Sequence, residues 1–310
     1  MNIRTAFILG AGLGTRLRPL TQSRPKLLVP IFGEPLIFRT LDYLLDQGIS
    51  RFVINTHHLP HVFDRFFGGH HGEFSYRGAP LHLIYEPVPL ETAGGLRNAR
   101  QWLGEDAFLV VNGDVLTNIP LMELLKSQEK EDHCVILGLR SGPPQVGMDE
   151  RTGNILDFYH KLGIKGLSYF LFTGLYILQP EIYRWIPPEG PVSMMSVFWQ
   201  LLHAGKRISS AILDSGFWCE VGSRNSYLVA HQELAHQVNP QQRIKTPLLT
   251  GVELRGVCAV GKNCEIEPGA VLEDTIIWDD TKISSRSHLQ RCIVCDKSQV
   301  DGNFSDCDFL

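Results

Sequence analysis

The sequence predicts an α/β fold built on a mainly parallel sheet with flanking helices, followed by a short solenoid of stacked strands. Three observations carry that prediction. Short apolar runs alternate with amphipathic segments from residue 5 to about residue 216, the pattern of strands and covering helices in a parallel sheet. A polar segment with two prolines, QVNPQQRIKTP, interrupts that pattern at 237–247. Beyond it, aliphatic residues recur at Val260, Ile266, Leu272, Ile277, Ile283, Leu289, Val294 and Val300, in steps of six or five that give a period of seventeen. The expected organisation is one domain over 1–236, a linker over 237–247 and a repeat tail over 248–310.

Composition fits an ordinary globular chain. Its 310 residues are enough for a full core and for two domains. Hydrophobic residues make up 44% and charged residues 20%, with a formal net charge of -4. That balance argues against a nucleic-acid binder working through broad electrostatics, so the basic cluster near the N-terminus is a local feature. Residues 1–5 lack the zones of a signal peptide, and no apolar run approaches the roughly eighteen residues of a membrane helix. A cytoplasmic protein without membrane or nucleic-acid partners is expected. The seven cysteines, an odd number with no regular framework, fit reduced thiols. Cys292 and Cys295 have zinc-ligand spacing, but no second pair repeats it, so they are expected to be structural.

The first strand, at residues 6–9, runs into three glycines in five positions, Gly10, Gly12 and Gly14, with Ala11 between the first two. Four cations follow within eleven residues: Arg16, Arg18, Arg24 and Lys26. Glycines let the backbone turn tightly and bring its N–H groups against an anion, and the cations neutralise the charge that remains. The stretch therefore reads as a polyphosphate site. Two common glycine loops are excluded by their missing parts. A nucleotide-triphosphatase loop needs Gly-Lys-Ser/Thr, where this chain has Gly14-Thr15-Arg16. A dinucleotide site needs its glycines to open a helix and an acid to end the next strand. Here Pro19 and Pro25 interrupt any such helix, and no strand reaches an acid in that window.

Farther along, Leu36, Phe38, Leu41, Leu44 and Leu45 recur at helical spacing until Gly48 stops the helix. Further strands are predicted at 52–55, 81–85, 108–112, 134–139 and 172–178. In such a sheet ligands collect outside the carboxyl ends of the strands. The glycine loop, Asn55-Thr56-His57, Glu86 and Asp114 all fall at such ends. Asp114 leaves an apolar strand through Gly113, which suits a hard cation that prefers oxygen ligands. Its other reading is a cap for the following helix, although Pro120 delays that helix. His57, His58, His61, His70 and His71 invite a metal reading, but Pro60 makes this the start of a helix, where turn residues are expected anyway.

From Gly12 to Lys26 the chain matches, without a gap, the pattern Gly-x-Gly-Thr-Arg-x-x-Pro-x-Thr-x-x-x-Pro-Lys. In this it resembles the nucleotide-sugar pyrophosphorylases, the sugar-1-phosphate nucleotidyltransferases. The likeness continues over roughly residues 3–235. Val111-Asn112-Gly113-Asp114 looks like the family's strand-end Gly-Asp, whose aspartate holds magnesium. EPVPLETAGGLRN at 86–98 resembles its nucleobase loop, in which Gly94 and Gly95 would let a flat base lie on the backbone and Glu86 would read the base edge. A carboxylate only accepts hydrogen bonds, so it suits the N–H groups of guanine or uracil better than cytosine. Trp218-Cys219-Glu220-Val221-Gly222-Ser223 stands at the family's Trp-x-Asp-x-Gly-Thr, which makes Glu220 the second metal ligand, one methylene longer than usual. Counting from Gly147, Tyr159-His160-Lys161-Leu162 stands at a Glu-Lys-Pro pattern. Lys161 would meet the sugar phosphate, and His160 replaces the glutamate that holds sugar hydroxyls. Phe172-Thr173-Gly174-Leu175-Tyr176 matches the next sugar-side strand, and Asn112 belongs to the same side.

The resemblance implies a Rossmann-like catalytic domain with Mg2+ as cofactor. In the implied reaction a sugar-1-phosphate attacks the α-phosphorus of a nucleoside triphosphate and pyrophosphate leaves. Gly10, Ala11, Gly12, Gly14 and Thr15 would cradle the phosphates, and Arg16 would hold the leaving β and γ phosphates. Lys26 would bridge the attacking and α phosphates, while Asp114 and Glu220 would hold the metal. GTP with mannose-1-phosphate and UTP with an amino-sugar-1-phosphate are the leading substrate pairs. Two other readings stand beside this one. A non-catalytic, nucleotide-binding regulatory relative is supported by Glu220 and His160 and opposed by the intact Arg16, Lys26 and Asp114; a cytidylyltransferase for a non-sugar phosphate is opposed by the tail. That tail resembles the left-handed β-helix of many members, with LEDTIIWD at 272–279 and LQRCIVCD at 289–296 aligned in seventeen-residue coils. Its open edges need a cap, either the catalytic domain or another subunit, and the second makes a homo-oligomer one expectation.

Overall fold

The computed structural model describes residues 3–68, 72–127, 134–246 and 250–310. His70, His71, Pro247 and the first two residues of the expected tail lie outside the described residues. The chain forms two compact units, one of Met1–Gly12 with Thr40–Trp218, the other of Leu13–Arg39 with Cys219–Leu310.

A ten-stranded sheet organises the first unit. In chain order its strands are β1 (Thr5–Gly10), β2 (Arg51–Thr56), β3 (Glu73–Tyr76), β4 (Ala79–Tyr85), β5 (Phe108–Asn112), β6 (Val135–Arg140), β7 (Val146–Asp149), β8 (Asn154–Phe158), β9 (Ser168–Leu178) and β10 (Ile208–Ile212). Their order across the sheet is β7-β8-β10-β6-β9-β5-β1-β2-β4-β3. β5, β1, β2 and β4 are parallel neighbours, with Ile8 beside Ile54 and Val111 and Ile54 beside Leu83. In β1, β2 and β5 the apolar residues run without a break because both faces are covered: Phe7, Ile8, Phe52, Val53, Leu109 and Val110 are all buried. The strand expected at 172–178 forms within β9 but runs antiparallel to β5 and β6. Between β6 and β9 the chain makes only the antiparallel pair β7–β8, and without a crossover helix a returning strand pairs antiparallel. β10 follows a helix and lies parallel to β6.

The helices are α1 (Leu36–Asp46), α2 (Pro60–Phe67), α3 (Glu91–Leu103), α4 (Met122–Lys126), α5 (Met194–His203), α6 (Arg224–Ala235) and the short α7 (Pro240–Arg243), which lies in the expected linker. α1 spans the predicted segment, and Gly48 just beyond it takes the left-handed conformation at φ +87°. Ala93, Leu96, Ala99 and Leu103 of α3 join Val197, Phe198 and Leu201 of α5 in one core with Phe7, Phe108, Val110 and Tyr176. Their spacing of three and four is why each helix buries a single stripe.

In the second unit the tail is a short β-helix of three parallel stacks. Glu253–Arg255, Val271–Glu273, His288–Gln290 and Asn303–Ser305 form one; Ala259–Val260, Ile276–Ile277, Ile293–Val294 and Asp308–Phe309 form the next; Glu265–Ile266, Lys282–Ile283 and Gln299–Val300 form the third. Val260, Ile277 and Val294 sit in register, as do Ile266, Ile283 and Val300, so the predicted period is the length of one coil. Aspartates tie successive turns across the same interval: Asp279 Oδ1 accepts from the Lys262 amide at 2.8 Å, and Asp296 Oδ1 from the Asp279 amide at 3.1 Å. The last coil is shorter, bringing Phe304 beside Leu289 and Phe309 beside Val294. Among the described residues no helix is long and apolar enough to cross a membrane.

Candidate functional site

Parallel strands end together, so β1, β2 and β5, and the segment after β4, deliver Gly10, Asn55, Asn112 and Glu86 to one edge of the sheet. A chain of hydrogen bonds joins three of them. The Gly10 amide donates to Asn55 Oδ1 at 2.8 Å, and Asn55 Nδ2 donates to Glu86 Oε1 at 2.8 Å. Glu86 Oε2 accepts from the Leu90 amide at 3.0 Å. Glu86 is fully buried, and its two carboxylate oxygens are taken by Asn55 of β2 and by the loop before α3. Gly95 lies against this pair: a Cβ there would come within 2.8 Å of both Asn55 Nδ2 and Glu86 Oε1. A Cβ at Gly94 would meet the Leu90 side chain at 3.0 Å and the Gly190 carbonyl at 3.3 Å. A side chain at Gly95 would therefore overlap the Asn55–Glu86 pair, and one at Gly94 would fit only tightly.

Asp114 is half-buried beyond β5, and the preceding Gly113 amide donates to the Leu9 carbonyl at 3.2 Å. Asn112 packs on the bulge of β9. The register there shifts between Phe172 and Tyr176, and Gly174 takes φ +76° with Asn112 Nδ2 only 2.7 Å from where its Cβ would be. Thr173, buried beside it, donates to the Gly138 carbonyl at 2.7 Å, and Trp218 Nε1 donates to the Thr173 carbonyl at 2.8 Å.

His160 stacks on Tyr169, with ring centroids 3.5 Å apart. Tyr169 Oη donates to Asp157 Oδ2 at 2.7 Å, while Asp157 Oδ1 accepts from the Phe158 and Leu162 amides at 2.7 and 3.1 Å. Burial opposes the charge on Asp157, but these bonds outweigh it and hold the carboxyl below its usual range. The loop so pinned puts Tyr159 and His160, neighbours without glycine, both at φ +56°, a strained conformation that surrounding contacts must hold. Gly147 faces the same cluster, with Tyr169 Cε1 at 2.9 Å and Asp157 Cβ at 3.1 Å from a built Cβ. Lys161 is exposed, its Nζ 5.7 Å from the Trp199 ring centroid. The contact of Asp157 and Tyr169 with the His160 loop was not legible in the sequence. The one signal was an acid between buried residues of a short strand, and its partner comes from another strand.

In the second unit, Gly14 is left-handed at φ +63° and closes on Thr21, whose Oγ1 donates to the Gly14 carbonyl at 2.8 Å. Thr15–Leu17 then forms a 3-10 turn that presents Arg16. Arg16 Nη2 donates to Glu220 Oε1 at 2.8 Å. Gly222 leaves room for this pair, since a Cβ there would lie 2.6 Å from Glu220 Oε1 and 3.2 Å from Arg16 Nη2. Immediately after, Ser223 and Ser226 cap α6 reciprocally. Lys26 opens a second 3-10 turn, Lys26–Leu28, behind Pro25.

Among the described residues no group of three or more His, Cys, Asp or Glu side chains could hold a metal ion. His57 Nδ1 lies 2.8 Å from the Glu86 carbonyl. Cys292 and Cys295 are buried free thiols, and burial pushes the Cys295 thiol up to about 12.

Comparison with known proteins places these features in a family. The profile of the nucleotidyl transferase family matches residues 5–237. A mannose-1-phosphate guanylyltransferase of Mycobacterium tuberculosis is 28% identical over 303 residues, covering 92% of this chain and 83% of the relative. A UTP–glucose-1-phosphate uridylyltransferase of Synechocystis is 27% identical, covering 96% and 81%. Among solved structures, a UDP-glucose pyrophosphorylase from Acinetobacter baumanii superposes with a TM-score of 0.66 at 17% identity, covering 77% of this chain and 95% of that one. That last likeness concerns the fold.

Proposed function

The chain belongs to the nucleotidyl transferase family, and we propose that it transfers a nucleotidyl group from a nucleoside triphosphate to a sugar-1-phosphate, releasing pyrophosphate. The observation that carries this reading is the unbroken run from Gly12 to Lys26, folded with Gly14 left-handed and Arg16 paired to Glu220. We assign the chemistry to residues 1–236, with 237–247 as linker and 248–310 as tail.

A sugar-phosphate oxygen is the nucleophile. With a second pKa near 6 it is largely ionised at neutral pH and needs no general base. Its bond to the α-phosphorus forms as the bond to the pyrophosphate oxygen breaks. The protein must therefore neutralise and align two anions. Backbone amides from Ala11 to Thr15 receive the triphosphate, the Gly10 amide being taken by Asn55; Arg16 takes the charge of the leaving pyrophosphate, and Lys26 lies between the attacking and α phosphates. Glu86, with its oxygens committed to Asn55 and Leu90, acts on the nucleotide by positioning the loops around it. On the sugar side are Asn112, Gly147, His160, Lys161, Thr173 and Gly174. There the imidazole of His160, which can donate as well as accept, replaces an acceptor-only carboxylate.

Asp114 and Glu220 offer only carboxylate oxygen, the donor that magnesium prefers, and Gly222 provides the space in which the Glu220 carboxylate sits. They would hold the ion with phosphate and water oxygens completing its shell. When bound, it supplies charge neutralisation at the α-phosphate and the leaving group.

GTP with mannose-1-phosphate is our first pair, supported by the guanylyltransferase relative. UTP with an amino-sugar-1-phosphate is the second, and the uridylyltransferase relative supports uridylyl transfer. The test is pyrophosphate release across a matrix of nucleoside triphosphates and sugar-1-phosphates or phospho-alcohols, with magnesium. Release with one triphosphate and one sugar-1-phosphate is expected. Silence throughout, with nucleotide still protecting against thermal unfolding, would overturn the catalytic reading.

A further inference from the structure

Trp278 of the β-helix reaches the cationic loop at two points that bracket Lys26. The Arg24 guanidinium lies over its ring, Cζ 4.9 Å from the centroid. On the other side, Trp278 Nε1 donates to Tyr227 Oη at 3.0 Å, and Tyr227 Oη donates to the Pro30 carbonyl. Arg24 is also ion-paired with Asp296, the residue one coil above Asp279. Trp278 and Tyr227 are buried. One turn along α6 from Tyr227, His231 Nε2 accepts from the Phe32 amide at 3.3 Å. The start of α6 is joined to the end of the tail, where Arg224 Nε donates to Asp308 Oδ1 at 2.7 Å. All of these groups belong to the second unit.

Between the two anchors the chain makes one 3-10 turn, and Leu27, Leu28 and Val29 are buried. Lys26 sits in a single 3-10 turn closed by two backbone bonds, Leu28 to Pro25 and Val29 to Lys26, between prolines that donate none. Electrostatic catalysis needs its charge held within a fraction of an ångström, and a loop of this kind gains that precision from the groups packed around it.

We propose that the β-helix tail positions the reaction's bridging cation: Trp278, acting with Arg24, Asp296 and Tyr227, holds the Pro25 to Pro30 segment so that Lys26 stays in place. The proposal rests on the reading of Lys26 given above. These four are positioning residues.

A double-mutant cycle separates positioning from general stability. Pyrophosphate release is measured in the full chain for the wild type, Trp278→Phe, Lys26→Ala and the double variant, using the substrate pair with the highest release. Trp278→Phe keeps an aromatic face for Arg24 and loses the N–H to Tyr227. We expect it to lower turnover about tenfold beside Lys26, and less than twofold once Lys26 is alanine. The same loss in both backgrounds, or no loss in either, would overturn the proposal. Near-normal turnover in Lys26→Ala alone would instead sink the reading of Lys26, and that arm contains no change in the tail. If Trp278→Phe does not fold, Asp296→Asn, at a partly exposed position, serves the same cycle with the same criteria.

Discussion

Arg16 and Glu220 form an ion pair, Nη2 to Oε1 at 2.8 Å, across 204 positions of sequence. Both side chains stay open to solvent, 70% and 42% exposed, so the pair adds little to stability and its charges are available to other partners. The arrangement links the cation proposed for the leaving group to a carboxylate proposed for the metal.

Arg16→Ala and Lys26→Ala are each expected to lower turnover at least about a hundredfold, the scale of losing one oriented electrostatic group. Arg16→Ala should leave the melting temperature nearly unchanged, because the ion pair is exposed. Steady-state pyrophosphate release with parallel thermal melts checks both. Near-normal release would remove either residue from the mechanism.

Glu220→Gln is expected to raise the magnesium concentration for half-maximal activity by at least about tenfold. Glu220→Asp, which keeps the charge and shortens the side chain, should retain a requirement near the wild-type value. A magnesium titration distinguishes ligation from simple pairing with Arg16, because pairing alone predicts an unchanged requirement.

Gly95→Ala sets two effects against each other. Alanine in a helix interior is favoured over glycine by roughly 0.5–1 kcal/mol. The new Cβ would press on Asn55 and Glu86 at 2.8 Å, and such overpacking costs about 1–3 kcal/mol. The overlap wins, so urea unfolding should show net destabilisation. Asn55→Ala, which leaves the buried Glu86 Oε1 without its Asn55 donor, should cost about 2–4 kcal/mol. Unchanged midpoints for both would disprove the role assigned to this pair.

His231 should make the protein acid-sensitive. Its Nε2 accepts from the Phe32 amide and its Nδ1 faces the Tyr227 carbonyl, so the ring is neutral in the fold. Burial pushes its pKa down to about 4; the Tyr227 carbonyl opposes the shift and the Arg39 charge adds to it. The unfolded chain takes up a proton near its ordinary value of about 6.5 and the folded chain does not until about 4. Stability is therefore lost as pH falls through that interval, by about 3 kcal/mol in all, and this group adds no dependence above it. Urea midpoints from pH 7.5 to 4.5 should drop more steeply in the wild type than in His231→Gln; parallel slopes would exclude the effect.

Two kinds of feature were legible in the chain. Gly14 is left-handed where the glycine loop required a tight turn, and the aliphatic period of seventeen became the length of one β-helix coil, because residues seventeen apart pair in register on each face. The strand at 172–178 was legible as a strand but not in its direction, since direction depends on the connection before it. Glu86 was expected to face a ligand; its position at a strand end was readable, but its burial beneath Asn55 and Gly95 was not.

Local periodicity and motif spacing by themselves determined the fold class, the coil length and the position of the glycine turn before the cationic residues, because each depends on residues close together in sequence. Tertiary structure alone decided which side chains meet. Asp157 meets Tyr169, Arg16 meets Glu220, and Trp278 sits beneath Arg24. Such pairs form when packing brings separate segments within hydrogen-bond range, and no local pattern in either segment records its partner.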